Sequence, residues 1–249
     1  MEELVSIIIL STLAGLATGV GGLIVLIKKP GKKLFGFLGG FAVGVMIILS
    51  FFGLILETWE DTNFLITSVS FTIGALLMFL LDFLIPHIHF SIKEEGLLKK
   101  PKLFKTGVLI AAGIALHNFP EGISIGAGYL HFSSFGLFIA VSIALHNIPE
   151  GIAIALPIYK SGVSKLRSFK IALFSGLAEP LGAIVAALFL QSFRFLVPAT
   201  LAFAAGVMVF ITLDELIPVF HEHGHEHSTA LGIIIGIIFM FLVIGIFNP

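Results

Sequence analysis

The sequence predicts an all-α polytopic membrane protein of eight transmembrane helices, and three observations predict it. Of 249 residues, 57% are hydrophobic and 12% charged, whereas a soluble domain carries about 25% charged residues. The apolar residues gather in runs of about 20, the length that crosses the hydrocarbon core as a helix. These runs are continuous instead of alternating, which selects helices over a closed barrel as the way to satisfy backbone groups in lipid. The connections between runs alternate in charge, as the positive-inside rule requires.

The elements follow in order. Span 1 is expected near 4–27, after Met1, Glu2 and Glu3; an acidic start is unlike the basic stretch of a cleavable signal, so this helix is expected to be retained. Lys28, Lys29, Lys32 and Lys33 lead into span 2, near 34–56. Glu57, Glu60 and Asp61 occupy the next connection, with Trp59 as an interface anchor. Span 3 (near 64–86) is followed by Lys93, Lys99, Lys100, Lys102 and Lys105, and then by span 4 (near 104–128). A short connection holding His131 leads to span 5, near 135–158. Lys160, Lys165, Arg167 and Lys170 precede or open span 6, near 169–190. Arg194 precedes span 7 (near 196–220), and the His-rich run from His221 to His227 precedes span 8, near 229–247. Thirteen of the fourteen basic residues share one side. That side is expected to be cytoplasmic, with both termini outside the cytoplasm and the chain in the plasma (inner) membrane. The chain has no cysteine, which excludes disulfides and thiolate metal sites.

The chain also repeats itself. Gly15–Gly22 resembles Gly176–Ala183, Phe41–Ile47 resembles Phe203–Val209, and Ile73–Leu80 resembles Ile235–Leu242, all at offsets of 161 or 162 residues. Spans 4 and 5 repeat separately, Ala115–Ile125 against Ala144–Ile154. In each case an odd number of steps separates the partners, so they cross in opposite directions. The expected architecture is a single transporter domain over 1–249 with a 3+2+3 inverted repeat. Repeats 4–86 and 169–247 flank the helix pair 104–158, and a binding site is expected at their interface near the midplane.

The doubled His-Asn-x-Pro-Glu-Gly carries the chemistry. His117 and Glu121 stand four residues apart on one helix face, with Asn118 three residues before Glu121. Span 5 does the same with His146, Asn147 and Glu150. Ionisable groups at bilayer depth are costly and normally face a partner, an ion or water. Two facing carboxylates repel unless a cation or protons lie between them, and imidazole, carboxylate and amide oxygen suit a borderline divalent ion. Pro120 and Pro149 free the carbonyls of Leu116 and Leu145 for water or metal, and Gly122 and Gly151 allow close approach by a neighbour. Glu179, before Pro180, is a third buried acid, and its repeat partner is Thr18. Packing hydrogen bonds alone are the alternative role for such residues, and duplication on inverted helices argues against it.

Other residues are less decisive. The His221–His227 run reads as a loop with weak metal affinity by composition. Asp82–Pro86 and Asp214–Pro218, with His87 and His89, read either as exit-lining groups or as interfacial helix ends stopped by proline. His131 reads as a solvated histidine, with metal entry as its alternative role.

His117–Gly122 and His146–Gly151 resemble the paired signatures of the ZIP (Zrt-, Irt-like) metal transporter family, particularly its bacterial importers. The likeness extends over the whole chain, including Ala178-Glu179-Pro180. It implies import of Zn²⁺, and in relatives of Fe²⁺, Mn²⁺, Co²⁺ or Cd²⁺, as substrate and not as catalytic cofactor. It implies two midplane metals. One would take His117, Glu121, His146 and Glu150; the other would take Asn118, Glu121, Asn147, Glu150 and Glu179. It also implies dimers, and an elevator motion of spans 1, 4, 5 and 6 against 2, 3, 7 and 8. The expected partners are divalent metal ions, the lipid bilayer and a second copy of the chain, with no nucleic acid. A metal-gated channel or receptor remains the alternative. An intramembrane metalloenzyme fits less well, because the spans lack His-Glu-x-x-His.

Overall fold

The computed structural model describes residues 2–84 and 101–247, and between 101 and 110 only the side chains of Phe104 and Val108. Pro86, His87, His89, Lys93, Lys99 and Lys100, with the side chains of Lys102 and Lys105, lie outside the described residues. Every regular element among the described residues is helical. The helical runs are α1 (Glu2–Ile27), α2 (Lys32–Asp61), α3 (Phe64–Leu84), α4 (Pro101–His131), α5 (Ser133–Lys160), α6 (Lys165–Ser192), α7 (Arg194–His223) and α8 (Glu226–Phe247). Seven of them are long and apolar enough to cross a membrane; the remaining one, α4, is 31 residues long. The chain is an all-α, multi-pass membrane protein. Most helices overrun the expected apolar spans at one or both ends, because the 3.6-residue hydrogen-bonding ladder continues into polar flanks that sit beyond the hydrocarbon.

Local irregularities have identifiable causes. A π-helical turn occupies Leu49–Ile55 in α2 and another Thr212–Leu216 in α7, so residues 50–54 are matched 162 positions later. In α6 the regular helix breaks at Leu177, whose N–H turns to the Phe174 carbonyl at 3.2 Å, three residues back instead of four. Pro180, without an N–H, sits in the turn that restarts the helix. Pro120, Pro149 and Pro157 lie inside continuous helices.

Three expectations are corrected here. Asp214 does not end span 7: it lies in the π-helical turn, and the helix runs on past Pro218 to His223. Pro218 is tolerated there because it falls in the first turn after the π segment, where its missing donor breaks no regular bond. The His221–His227 run is not a loop. His221 and His223 finish α7, Glu226 and His227 begin α8, and Gly224 and His225 alone separate them. His131 is not a solvated loop residue either; it ends α4 and its imidazole meets Glu57 at 2.7 Å and Asp61 at 3.4 Å.

Glycines set the packing. A Cβ on Gly21 of α1 would overlap the Ile148 carbonyl of α5, and one on Gly151 the Thr18 carbonyl. The same crossing recurs 161 residues later in α6 and 29 residues earlier on the other side: Gly182 against Phe119 of α4, and Gly122 against Glu179. In the outer pairs, Gly44 of α2 meets Ile233 of α8 and Gly236 meets Phe41; 162 residues away, Gly206 of α7 meets Phe71 of α3 and Gly74 meets Phe203. Backbones in contact replace side-chain interdigitation, as membrane helices permit. The result is one group of α1, α4, α5 and α6 and another of α2, α3, α7 and α8, joined mainly where α4 meets α7 and α2 meets α5.

Polarity runs from inside to outside. Leu65, Phe79, Leu188 and Ile246 are exposed toward lipid, whereas Ser11, Thr18, Ser142 and Thr212 are buried. Such a distribution is stable only in a solvent as apolar as the exterior. Helix α5 is the central element: 72% of its best spanning window is buried, against 17% for α3 and 22% for α8.

Candidate metal centre

Helices α4 and α5 lie against each other and are clasped by α6 and α1. The glycine crossings fix that clasp, so the polar faces of α4 and α5 point at one another and toward the two flanking helices. All seven residues marked by the sequence, His117, Asn118, Glu121, His146, Asn147, Glu150 and Glu179, are fully buried.

The donor atoms converge. His117 Nε2 lies 3.0 Å from Glu121 Oε1, one turn along its own helix, and 3.3 Å from Glu150 Oε1 on α5. His146 Nε2 approaches the same Glu121 oxygen closely. His117, Glu121, His146 and Glu150 each offer a ligand atom within 4.8 Å of all the others. Tetrahedral ligands at about 2.0–2.2 Å from zinc stand roughly 3.3–3.6 Å apart, so small side-chain adjustments suffice to seat an ion among them.

Supporting contacts orient these groups. His146 Nδ1 lies 3.1 Å from the Ser142 carbonyl, so it serves as the donor nitrogen and leaves the Nε2 lone pair for an ion. Asn118 donates its amide N–H to the Ser175 carbonyl of α6 at 3.0 Å, and Asn147 donates to the Ala14 carbonyl of α1 at 3.0 Å. Residues 14 and 175 are themselves 161 apart, so the two amides are anchored alike. With their nitrogens held by backbone, both Oδ1 atoms turn inward. Asn147 makes a second bond, to Glu179 Oε2 at 2.8 Å.

What is left over defines the chemistry. Asn118 Oδ1, Asn147 Oδ1, Glu121 Oε2, both Glu150 carboxylate oxygens and Glu179 Oε1 are buried without a hydrogen-bond partner, as are both ring nitrogens of His117. Buried polar atoms normally have partners, and a carboxylate that has none is costly. These oxygens all accept and cannot satisfy one another. A divalent cation with mixed nitrogen and oxygen ligation fits the set, and thiolate is absent from it.

The other residues marked by the sequence lie elsewhere. The His-rich run borders a cleft of about 180 Å³ at the lysine-rich end of the bundle, where Glu222 and His223 face Lys32, Ala153, Leu156 and Pro157. Ala153 and Pro157 are one and two turns beyond Glu150, so the run lies below the site and not in it. Asp214 is exposed, and its neighbour Glu215 turns inward instead. The Glu215 carboxylate presses on Gly113, one turn before His117, where a Cβ would overlap it. The sequence offered Asp214–Pro218 either as exit-lining groups or as a helix end and did not distinguish the two acids, since the π-helical turn sets which of them points inward. Ser142, whose carbonyl orients His146, was also missed; the contact is to backbone, which every residue carries, so no side-chain pattern marked it.

Comparison with known proteins identifies relatives over nearly the whole chain. A family model described as ZIP Zinc transporter matches residues 93–244. The chain is similar to the protein called Zinc transporter ZupT of Akkermansia muciniphila, 38% identical over 98% of both chains. It is 40% identical to that of Oceanobacillus iheyensis, over 96% of this chain and 97% of the relative. It is also 40% identical to that of Streptococcus mutans, over 96% of each.

Proposed function

The chain belongs to the ZIP family of zinc transporters, and from that premise we propose that it imports Zn²⁺ into the cytoplasm through the buried His/Asn/Glu centre of α4, α5 and α6. The observation that carries the reading is the set of six buried acceptor oxygens without hydrogen-bond partners, grouped around two imidazoles. Fe²⁺, Mn²⁺, Co²⁺ and Cd²⁺ are further substrates of the same mixed ligand set, since affinity order alone does not select among them. The lysine-rich face is cytoplasmic, both termini lie outside, and the membrane is the plasma (inner) membrane.

In this mechanism a hydrated ion exchanges water stepwise for imidazole, amide and carboxylate. His117, Glu121, His146 and Glu150 hold one ion. Asn118, Asn147 and Glu179 complete a second position that shares the two bridging glutamates. Each glutamate then faces a cation instead of the other carboxylate. A membrane potential negative inside favours inward movement of two charges by about 4.6 kcal/mol per 100 mV. Release passes Glu215, whose carboxylate lies a turn below His117 on the scaffold side. Complete burial of the ligands favours a carrier over an open pore. The movement is a slide of α1, α4, α5 and α6 against α2, α3, α7 and α8, in a homodimer, with no catalytic step.

The test is zinc uptake into sealed proteoliposomes loaded with a zinc indicator, under an imposed potential. Uptake is expected to saturate with zinc, to rise with negative interior potential, and to fall to the protein-free level in Glu121→Gln/Glu150→Gln. Uptake unchanged in that variant removes the assignment of the site.

A further inference from the structure

A second cluster of metal-ligating side chains lies at the far end of α4, on the face opposite the lysine-rich connections. Glu57 and Asp61 stand four residues apart in the last turns of α2, and so share one face. His131 ends α4 and turns its Nε2 to both, at 2.7 Å from Glu57 Oε1 and 3.4 Å from Asp61 Oδ2. The imidazole is braced by Phe132, 4.6 Å between ring centres, and edge-on by Phe135 at 5.7 Å. One atom from each of the three residues lies within 4.8 Å of the others. The side chains are 21%, 37% and 17% exposed for Glu57, Asp61 and His131, so water reaches the cluster.

The charge here is unbalanced. Two carboxylates share one imidazole, and Glu60 adds a third acid to the same helical turn. Arg194, the single basic residue among the connections of this face, is committed to Glu3 at 3.2 Å. The local excess is negative and the donors are those a borderline divalent ion prefers.

We propose that Glu57, Asp61 and His131 form a second divalent-metal site, open to water, that binds Zn²⁺ or Co²⁺ independently of the buried centre. Three protein ligands with water in the remaining positions give exchangeable binding, unlike a closed structural site. The site also joins the two helix groups, because α2 belongs to one and α4 to the other. An ion bound there ties the end of α2 to the end of α4. On the orientation proposed above this is the face from which ions arrive, and the site is then a capture point at the mouth; binding itself does not depend on that orientation.

Trp59, the one tryptophan of the chain, lies between Glu57 and Asp61 in sequence and reports on the site directly. The experiment is titration of its fluorescence with Co²⁺, a paramagnetic quencher, on the purified full chain in lipid nanodiscs. Saturable quenching, reversed by Zn²⁺, is expected in the wild type and equally in Glu121→Gln/Glu150→Gln. His131→Ala and Glu57→Gln are each expected to weaken the apparent affinity at least tenfold. His131→Asn, close in size, with an unchanged elution profile, guards against misfolding as the cause. Absence of saturable quenching in the wild type overturns the proposal. So does quenching that survives both His131→Asn and Glu57→Gln, and so does quenching that disappears in the Glu121→Gln/Glu150→Gln chain. None of these results depends on zinc uptake, so the site can fail while the transport reading stands, and the reverse.

Discussion

Helices α1 and α6 flank the buried centre at matched positions and contribute differently to it. Each offers a carbonyl to an asparagine of the doubled motif, Ala14 to Asn147 and Ser175 to Asn118. Each is held by the same glycine crossings. At the next matched position α1 has Thr18 and α6 has Glu179, both fully buried. Helix α1 runs without interruption, whereas α6 breaks two residues before its acid. The scaffold is therefore repeated and the ligand set is lopsided: Asn147 is bonded to a carboxylate, while the Thr18 hydroxyl is left without a partner. The comparison separates what positions a site from what gives it charge. Backbone crossings and anchored amides are duplicated, and the extra acid occurs once.

The largest effect is expected where the two halves meet. Glu121→Gln and Glu150→Gln, made singly, are each predicted to lower zinc uptake by at least a hundredfold, since each glutamate faces both imidazole-bearing helices; initial rates in proteoliposomes check this. Glu179→Thr makes the two halves alike and is expected to cost about tenfold in uptake or zinc affinity, with Thr18→Glu added to that variant recovering part of the loss. If Glu179→Thr transports like the wild type, the asymmetry has no functional meaning. Gly122→Val and Gly151→Val drive a side chain into a neighbouring carbonyl and are predicted to destabilise by about 1–3 kcal/mol or more, to similar degrees. Thermal melting of both in detergent measures it, and a large difference between them breaks the structural equivalence of the halves. The smallest expected effect separates the amides. Asn147→Ala removes a donor from Glu179 and is predicted to lose more zinc affinity than Asn118→Ala, by about 1–2 kcal/mol, in line with leaving a buried acceptor unpaired.

Much of this was legible in the sequence, because membrane helices announce themselves by length and the site by duplication. The offsets of 161 and 162 residues that align short apolar segments reappear in the glycine crossings and in the carbonyls that anchor Asn118 and Asn147. The parts that stayed hidden depend on rotation about a helix or on distant pairs. A π-helical turn at Thr212–Leu216 decides that Glu215 and not Asp214 faces inward, and no local pattern marks where an extra residue enters a turn. His131 looked solvated because its partners, Glu57 and Asp61, lie some 70 residues away, on a helix that continues beyond its apolar stretch. The His-rich run looked like a loop by composition, although its histidines cap two helices that meet at Gly224.

The first measurement to make is zinc X-ray absorption on the purified chain carrying His131→Ala and alanine in place of His221, His223, His225 and His227, which leaves the buried centre as the site observed. Zinc is expected to be bound by nitrogen and oxygen at about 2.0–2.2 Å with a two-imidazole signature, lost when Glu121→Gln and Glu150→Gln are added. Zinc retained in the combined variant, or bound without imidazole, contradicts assignment of the metal to the buried centre.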